Sequence, residues 1–171
     1  MLPVQVLLLN NTRKQKGGSL VEIIIVAGII MSSLGAILGL AAFFLATSQV
    51  VQQTSQAAAL AQEALEIVRN YRDGTSWAVG LDAVTPGGPY HPVQSGGPPP
   101  AWTLVSGSEA ISEFTREIQF EEVCRDGNDD IAPCGFPADP DTVKAVVTVS
   151  WTERGRNHEV ELVEYFTDWK Q

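Results

Sequence analysis

The sequence predicts an α+β fold in which one long N-terminal helix packs on a small antiparallel β-sheet. Three observations on the 171 residues predict it. No proline lies between Pro3 and Pro86, and from Ser19 to about Asp73 nothing argues for a helix stop. A stretch crowded with glycine and proline then breaks the regularity. Beyond Trp102, apolar residues recur at every second position, the period of half-buried strands.

The predicted helix has two halves of different character. Ile23 to Ala46 is a run of 24 residues without a charge and, apart from Ser32 and Ser33, almost without a polar side chain. As a helix it extends roughly 36 Å, against about 30 Å for a hydrocarbon core, so it reads as a single membrane span. Arg13, Lys14 and Lys16 precede it, and no Lys or Arg follows until Arg69. That asymmetry places the N-terminus in the cytoplasm and the C-terminal bulk outside. After a polar, Gln-rich stretch from Thr47 to Gln56, a strong helix former carries Ala57, Leu60, Ala64, Ile67, Val68 and Tyr71 at three- and four-residue spacing. Acidic residues come early in this half and Arg69 and Arg72 late, as the helix dipole favours, and Gly74 is a plausible stop. The whole reads as one helix of about 55 residues, near 80 Å long.

The organisation that follows is a basic leader over 1–17, the apolar helix over 18–46, its amphipathic continuation over 47–73, a Pro/Gly-rich loop over 74–101 and a β-rich part over 102–171. The apolar stretch Val6 to Leu9 is unusual in such a leader and leaves the position of the start codon open. Thr85-Pro-Gly-Gly-Pro and Ser95-Gly-Gly-Pro-Pro-Pro exclude a helix or a central strand, leaving a surface loop with Trp77 and Trp102 as anchors. Trp102 to Val105 is a short strand. Phe114, Arg116, Ile118 and Phe120 share one face of another, although Ser108 and a mixed pattern leave a short helix over 111–118 open. Val143 to Trp151 and His158 to Phe166 form a β-hairpin about a turn near Gly155.

Charge excludes one class of function. The net charge is −9, but eight basic residues face nineteen acidic ones beyond Ala46, a balance of about −11. A nucleic-acid groove needs the opposite sign. Cys124 and Cys134 flank nine residues, and in an oxidising outer compartment they form a loop-closing disulfide; two free thiols or a metal role are the alternatives. His91 and His158 are isolated, too few and too distant for a zinc site. Asp126, Asn128 and Asp130, with Asp129 between them and Asp139 and Asp141 beyond, are weak calcium candidates. They lack the twelve-residue loop with a closing Glu, and an acidic solvated turn is the plainer reading. No nucleophile motif and no phosphate-cradling loop is present, so neither an enzyme nor a cofactor is expected.

The informative cluster is Lys16-Gly-Gly-Ser-Leu-Val-Glu-Ile-Ile-Ile-Val, residues 16–26. A carboxylate within a span costs of the order of 2–3 kcal/mol or more at depth. Glu22 either marks the border of the helix or has a role. The string resembles the prepilin signature of type IV pilins and type II secretion pseudopilins, which is a short basic leader ending in Gly, then an aromatic residue, a small hydroxyl residue, two aliphatics, Glu and a long apolar helix. Gly17 matches the residue before the cut, Ser19 the hydroxyl position, Leu20 and Val21 the aliphatics, and Glu22 the acid. Gly18 stands where the first mature residue is commonly Phe.

The resemblance covers residues 13–46 and implies a pilin-like fold and a structural role. It implies that a prepilin peptidase removes residues 1–17 and that the new amine at Gly18 is methylated. In the fibre, Glu22 then pairs with the N-terminal ammonium of a neighbouring subunit. The implied partners are other pilin or pseudopilin subunits, the peptidase and methyltransferase, and a membrane assembly platform driven by a cytoplasmic ATPase. Gly39 falls where many pilins carry a helix-distorting proline, and with Gly35 it also forms a small-residue pair suited to helix packing. The segment Ala59 to Arg69 and the closing strands resemble minor subunits that prime assembly or sit at a tip. The alternatives are a signal-anchored envelope binding protein with an acidic exported domain, and an anchored exported enzyme.

Overall fold

The computed structural model describes residues 19–169. Leader residues 1–17 and Gly18 therefore lie outside the described residues. A single helix, α1 (Leu20–Gly74), is followed by seven strands: β1 (Pro89–Gln94), β2 (Trp102–Ser106), β3 (Glu109–Ile111), β4 (Phe114–Arg125), β5 (Ile131–Ala132), β6 (Ala138–Glu153) and β7 (Arg156–Thr167). The architecture is α+β, a long helix and an antiparallel sheet, as the two periodicities predict.

The 55 residues of α1 match the predicted length. The Ser19 carbonyl opens the helix by accepting the amides of Glu22 and Ile23 at 2.8 and 3.3 Å. At the other end the Thr75 hydroxyl donates to the Tyr71 carbonyl at 2.8 Å, satisfying one of the acceptors that a helix leaves open.

The chain divides between Ala46 and Thr47 into two units. In the first, every large apolar side chain of α1 from Leu20 to Leu45 is exposed. Among the described residues α1 is the one helix long and apolar enough to cross a bilayer. Ser32 and Ser33 do not spoil that surface. Their hydroxyls donate to the Ile29 and Ile30 carbonyls at 2.9 and 2.8 Å, the local solution open to a hydroxyl in an apolar solvent.

In the second unit the rest of α1 lies on one face of the sheet. Ala57, Ala61, Ala64 and Val68 are fully buried, so the helix backbone approaches the strands closely. Ile118 and Phe120 of β4, Ala145, Val147 and Val149 of β6 and Phe166 of β7 form the opposing surface. Leu81, in the turns after the helix, closes the far end of this core at 1% exposure. The strand order is β2-β1-β4-β6-β7, with β3 and β5 also paired to β4, and every pairing is antiparallel. β6 and β7 form the predicted hairpin, closed by Glu153↔Arg156. Both turn residues, Arg154 and Gly155, have positive φ (49° and 76°), the type I′ geometry whose twist suits two strands.

Two expectations are corrected. The Pro/Gly-rich segment 74–101 is not loop throughout, because it contains β1, which pairs with β2 over Tyr90–Gln94 and with β4 at Pro89 and Tyr90. Its prolines fit because of where they fall. Pro89 begins the strand, and Pro92 lies beyond the two positions paired with β4, on the side where no amide is needed. Tyr90 anchors the strand, its ring edge-on to Phe120 at 5.6 Å and its hydroxyl accepting the Thr85 amide at 3.1 Å. The helix left open over 111–118 does not form either. Ile111↔Phe114 closes a β3–β4 hairpin whose turn carries Ser112 at φ 56°.

Candidate functional site

The start of α1 brings together four of the residues singled out in the sequence. Ser19 precedes the helix and Glu22 stands in its first turn, with Leu20 and Val21 exposed between them at 77% and 62%. Ser-x-x-Glu in this register is a capping-box arrangement, and a carboxylate here also meets the positive end of the helix dipole. Glu22 thus has a local reason to stand where it does. It is also the sole ionisable side chain from Ser19 to Gln62, surrounded on the helix surface by Ile23, Val26 and Ile30, all exposed. Gly17 and Gly18, the other two positions of the motif, lie outside the described residues.

The second cluster is the lobe between β4 and β6. Cys124 and Cys134 are joined in a disulfide with their Cα atoms 5.2 Å apart. A closed loop of this size constrains the unfolded chain by about 2.5–3 kcal/mol on the chain-entropy account. Inside the lobe a residue not foreseen in the sequence, Arg125, holds the centre. Its Nε donates to Asp139 at 2.6 Å, and its Nη1 donates to the Asp129 carbonyl at 2.8 Å. The Asp126 carboxylate accepts the amides of Asn128 and Asp130 at 2.8 and 3.1 Å, so it builds the turn. A guanidinium therefore sits among these carboxylates, and no three His, Cys, Asp or Glu side chains converge as metal ligands among the described residues.

Burial pushes the Asp139 carboxyl up, but hydrogen bonds from Thr142, Arg125 and the Asp141 amide outweigh it and hold the group below its usual value. A carboxyl titrating lower in the folded state contributes stability that is present above its unfolded value, near 4, and lost as pH falls through the folded value. The urea midpoint of the wild-type chain should accordingly fall between about pH 5 and about pH 3. Asp139→Asn should be less stable at neutral pH and show a flatter profile over that range.

A third feature is Arg116, 3% exposed on the helix-facing side of β4. Its Nη2 donates to Glu109 at 2.7 Å, and its Nη1 donates to the Leu60 carbonyl at 3.2 Å with Glu63 at 3.7 Å. The guanidinium ties the β3–β4 hairpin to α1. Further along, Arg69 bonds Glu164 of β7 as well as Glu66, and these hydrogen bonds, Glu164 first, raise its pKa further. Both histidines lie in strands, in β1 and β7. His91 Nδ1 lies 3.1 Å from the Gly107 carbonyl, and His158 stacks on Trp151 with ring centroids 5.3 Å apart.

No protein-family model matches this chain, and comparisons with curated proteins and with solved structures also find no match.

Proposed function

We propose that the chain is a structural subunit of a type IV pilus or type II secretion pseudopilus, made as a prepilin and assembled through the N-terminal half of α1. The observation that carries this reading is the placement of Glu22. It is a lone carboxylate in the first turn of a helix whose surface to Leu45 is otherwise apolar and uncovered, directly after a basic leader ending in Gly17. A membrane covers such a surface before assembly, and packed neighbouring helices cover it afterwards. In the second setting an unpaired carboxylate is costly, and a cation must accompany it.

The mechanism proceeds from the N-terminus. Peptidase cleavage after Gly17 releases the leader and makes Gly18 a new α-amino group, which is then methylated and remains cationic. The helix holds the subunit in the cytoplasmic membrane, N-terminus inside, with the sheet-bearing part outside. An assembly platform moves the subunit into the fibre, where the ammonium of one subunit meets Glu22 of the next and sets their register. The resemblance of the amphipathic half and the last strands to minor subunits favours a priming or tip position.

The direct test is N-terminal sequencing and intact mass of the membrane-extracted chain, produced with and without the cognate peptidase. A chain beginning at Gly18 with a methyl increment on its amine is the expected product. An uncut chain under both conditions overturns the proposal in favour of a signal-anchored envelope binding protein.

A further inference from the structure

β7 ends the sheet. Its twelve residues pair with β6 without a register shift from Thr142↔Thr167 to Glu153↔Arg156, and no strand lies on its other side among the described residues. The hydrogen-bonding phase follows from the hairpin. A two-residue type I′ turn closes on a hydrogen-bonded pair, so Arg156 and every second residue after it exchange bonds with β6. The Asp168 amide, donating to the Asp141 carbonyl at 2.9 Å, keeps that phase at the far end. Asn157, Glu159, Glu161, Val163 and Tyr165 therefore turn their N–H and C=O groups away from the sheet. These five positions, spread over the nine residues 157–165, make an open edge of roughly 30 Å.

Sheet edges are ordinarily blunted by shortness, proline or a bulge. The opposite edge follows that rule, since β2 has five residues and adjoins Pro98, Pro99, Pro100 and Gly107. β7 has none of these three devices and keeps only the other common guard of an edge, charged side chains. What it carries is a pattern on its solvent face, with Glu159 and Glu161 exposed toward one end and Val163 and Tyr165, each 44% exposed, toward the other. A second copy of the same edge fits poorly. Antiparallel self-pairing centred on Glu161 sets two glutamates directly opposite, a destabilising cross-strand pair, and centred on Leu162 it sets Glu161 and Glu159 opposite Val163 and Tyr165 with no counter-charge. Lys144 on the same sheet face is bonded to Glu121 at 2.8 Å and attracts Glu161 only secondarily.

We propose that the free edge of β7 accepts an extended strand of a partner protein, with lysine or arginine opposite Glu159 and Glu161 and apolar residues opposite Val163 and Tyr165. The edge belongs to the folded sheet and does not depend on processing at Gly17.

The test uses the full chain in detergent and three synthetic peptides. One alternates valine with threonine over its first half and lysine with threonine over its second, so that in antiparallel register its lysines fall opposite Glu159 and Glu161; another has glutamate in place of lysine; the third is the chain's own 157–167 segment. Amide hydrogen exchange is read residue by residue. The lysine peptide should slow exchange at Glu159, Glu161 and Val163 by more than about tenfold, while the amides bonded to β6 keep the protection they already have. Val163→Pro should abolish that effect and leave the hairpin intact, because the amide it removes points away from β6. Glu159→Lys combined with Glu161→Lys should transfer the preference to the glutamate peptide. Equal protection by the lysine and glutamate peptides, stronger protection by the 157–167 peptide, or no response to the lysine peptide with the hairpin still protected would each overturn the proposal.

Discussion

Glu109→Ala should destabilise the sheet-bearing unit by about 3 kcal/mol, whereas Arg116→Met should leave it within about 1 kcal/mol of the wild type or make it more stable. The order is the reverse of what exposure suggests, since the Glu109 side chain is 32% exposed and that of Arg116 only 4%. The reason lies in which group is left behind. Removing Glu109 strips the shortest ion pair from a guanidinium that cannot reach water, leaving it the Leu60 carbonyl and a more distant Glu63. Removing Arg116 leaves two glutamates that already touch solvent and can rehydrate. Methionine also fills the space of the arginine stem, and it eliminates Arg116 Nε, a buried donor without a partner. Arg116→Ala loses the stem as well, and a cost of about 2–4 kcal/mol is expected. Urea unfolding followed by tryptophan fluorescence separates the three variants. If Arg116→Met costs as much as Arg116→Ala, the ion pair itself stabilises the fold and the argument from desolvation fails.

The same arginine shows what a sequence makes legible. Its place on the apolar face of β4 is readable from the alternation Phe114, Arg116, Ile118, Phe120. The partners Leu60, Glu63 and Glu109 are not, because they depend on how far α1 slides along the sheet. The helix stripe has the same limit. Ala57, Ala64 and Val68 were legible, but Ala61 and Leu65 are buried while Leu60 and Tyr71 lie at the margin. A run of four alanines and a leucine from Ala57 to Ala61 carries too little contrast in size or polarity to fix which side faces inward. β1 was hidden for another reason. Proline content argues against a central strand, yet β1 pairs with β4 at only two positions, and its register with β2 comes from the chain returning through Trp102. The lobe was half legible. Two cysteines beyond a membrane span suggest a disulfide, but the Arg125–Asp139 pair that organises the loop spans fourteen positions with no periodicity to announce it. At the start of α1, Ser19, Leu20, Val21 and Glu22 were legible as a motif, whereas the role proposed for Glu22 belongs to contacts between chains and follows from no single one.

Glu22→Leu should reduce incorporation of the processed chain into fibres by two orders of magnitude or more, without reducing its insertion in the membrane. In the bilayer the substitution removes a carboxylate whose penalty at depth is of the order of 2–3 kcal/mol, so insertion becomes no harder. In the proposed fibre it would strip the counter-charge from the neighbour's ammonium, and leaving one member of a buried pair alone costs about 3–5 kcal/mol, a factor of more than a hundred in association. The capping-box position of Glu22 offers a competing local account of any defect, and Glu22→Gln separates the two. Glutamine keeps the length and the hydrogen-bonding capacity needed at the third helical position, where loss of a cap is worth about 1 kcal/mol, but it carries no charge. Loss of incorporation in both variants, with cleavage after Gly17 unchanged, places the effect in the charge. Wild-type incorporation by Glu22→Gln assigns the residue to the start of the helix alone. The quantities to compare are the processed chain in the membrane fraction and in sheared fibres, measured from the same cells.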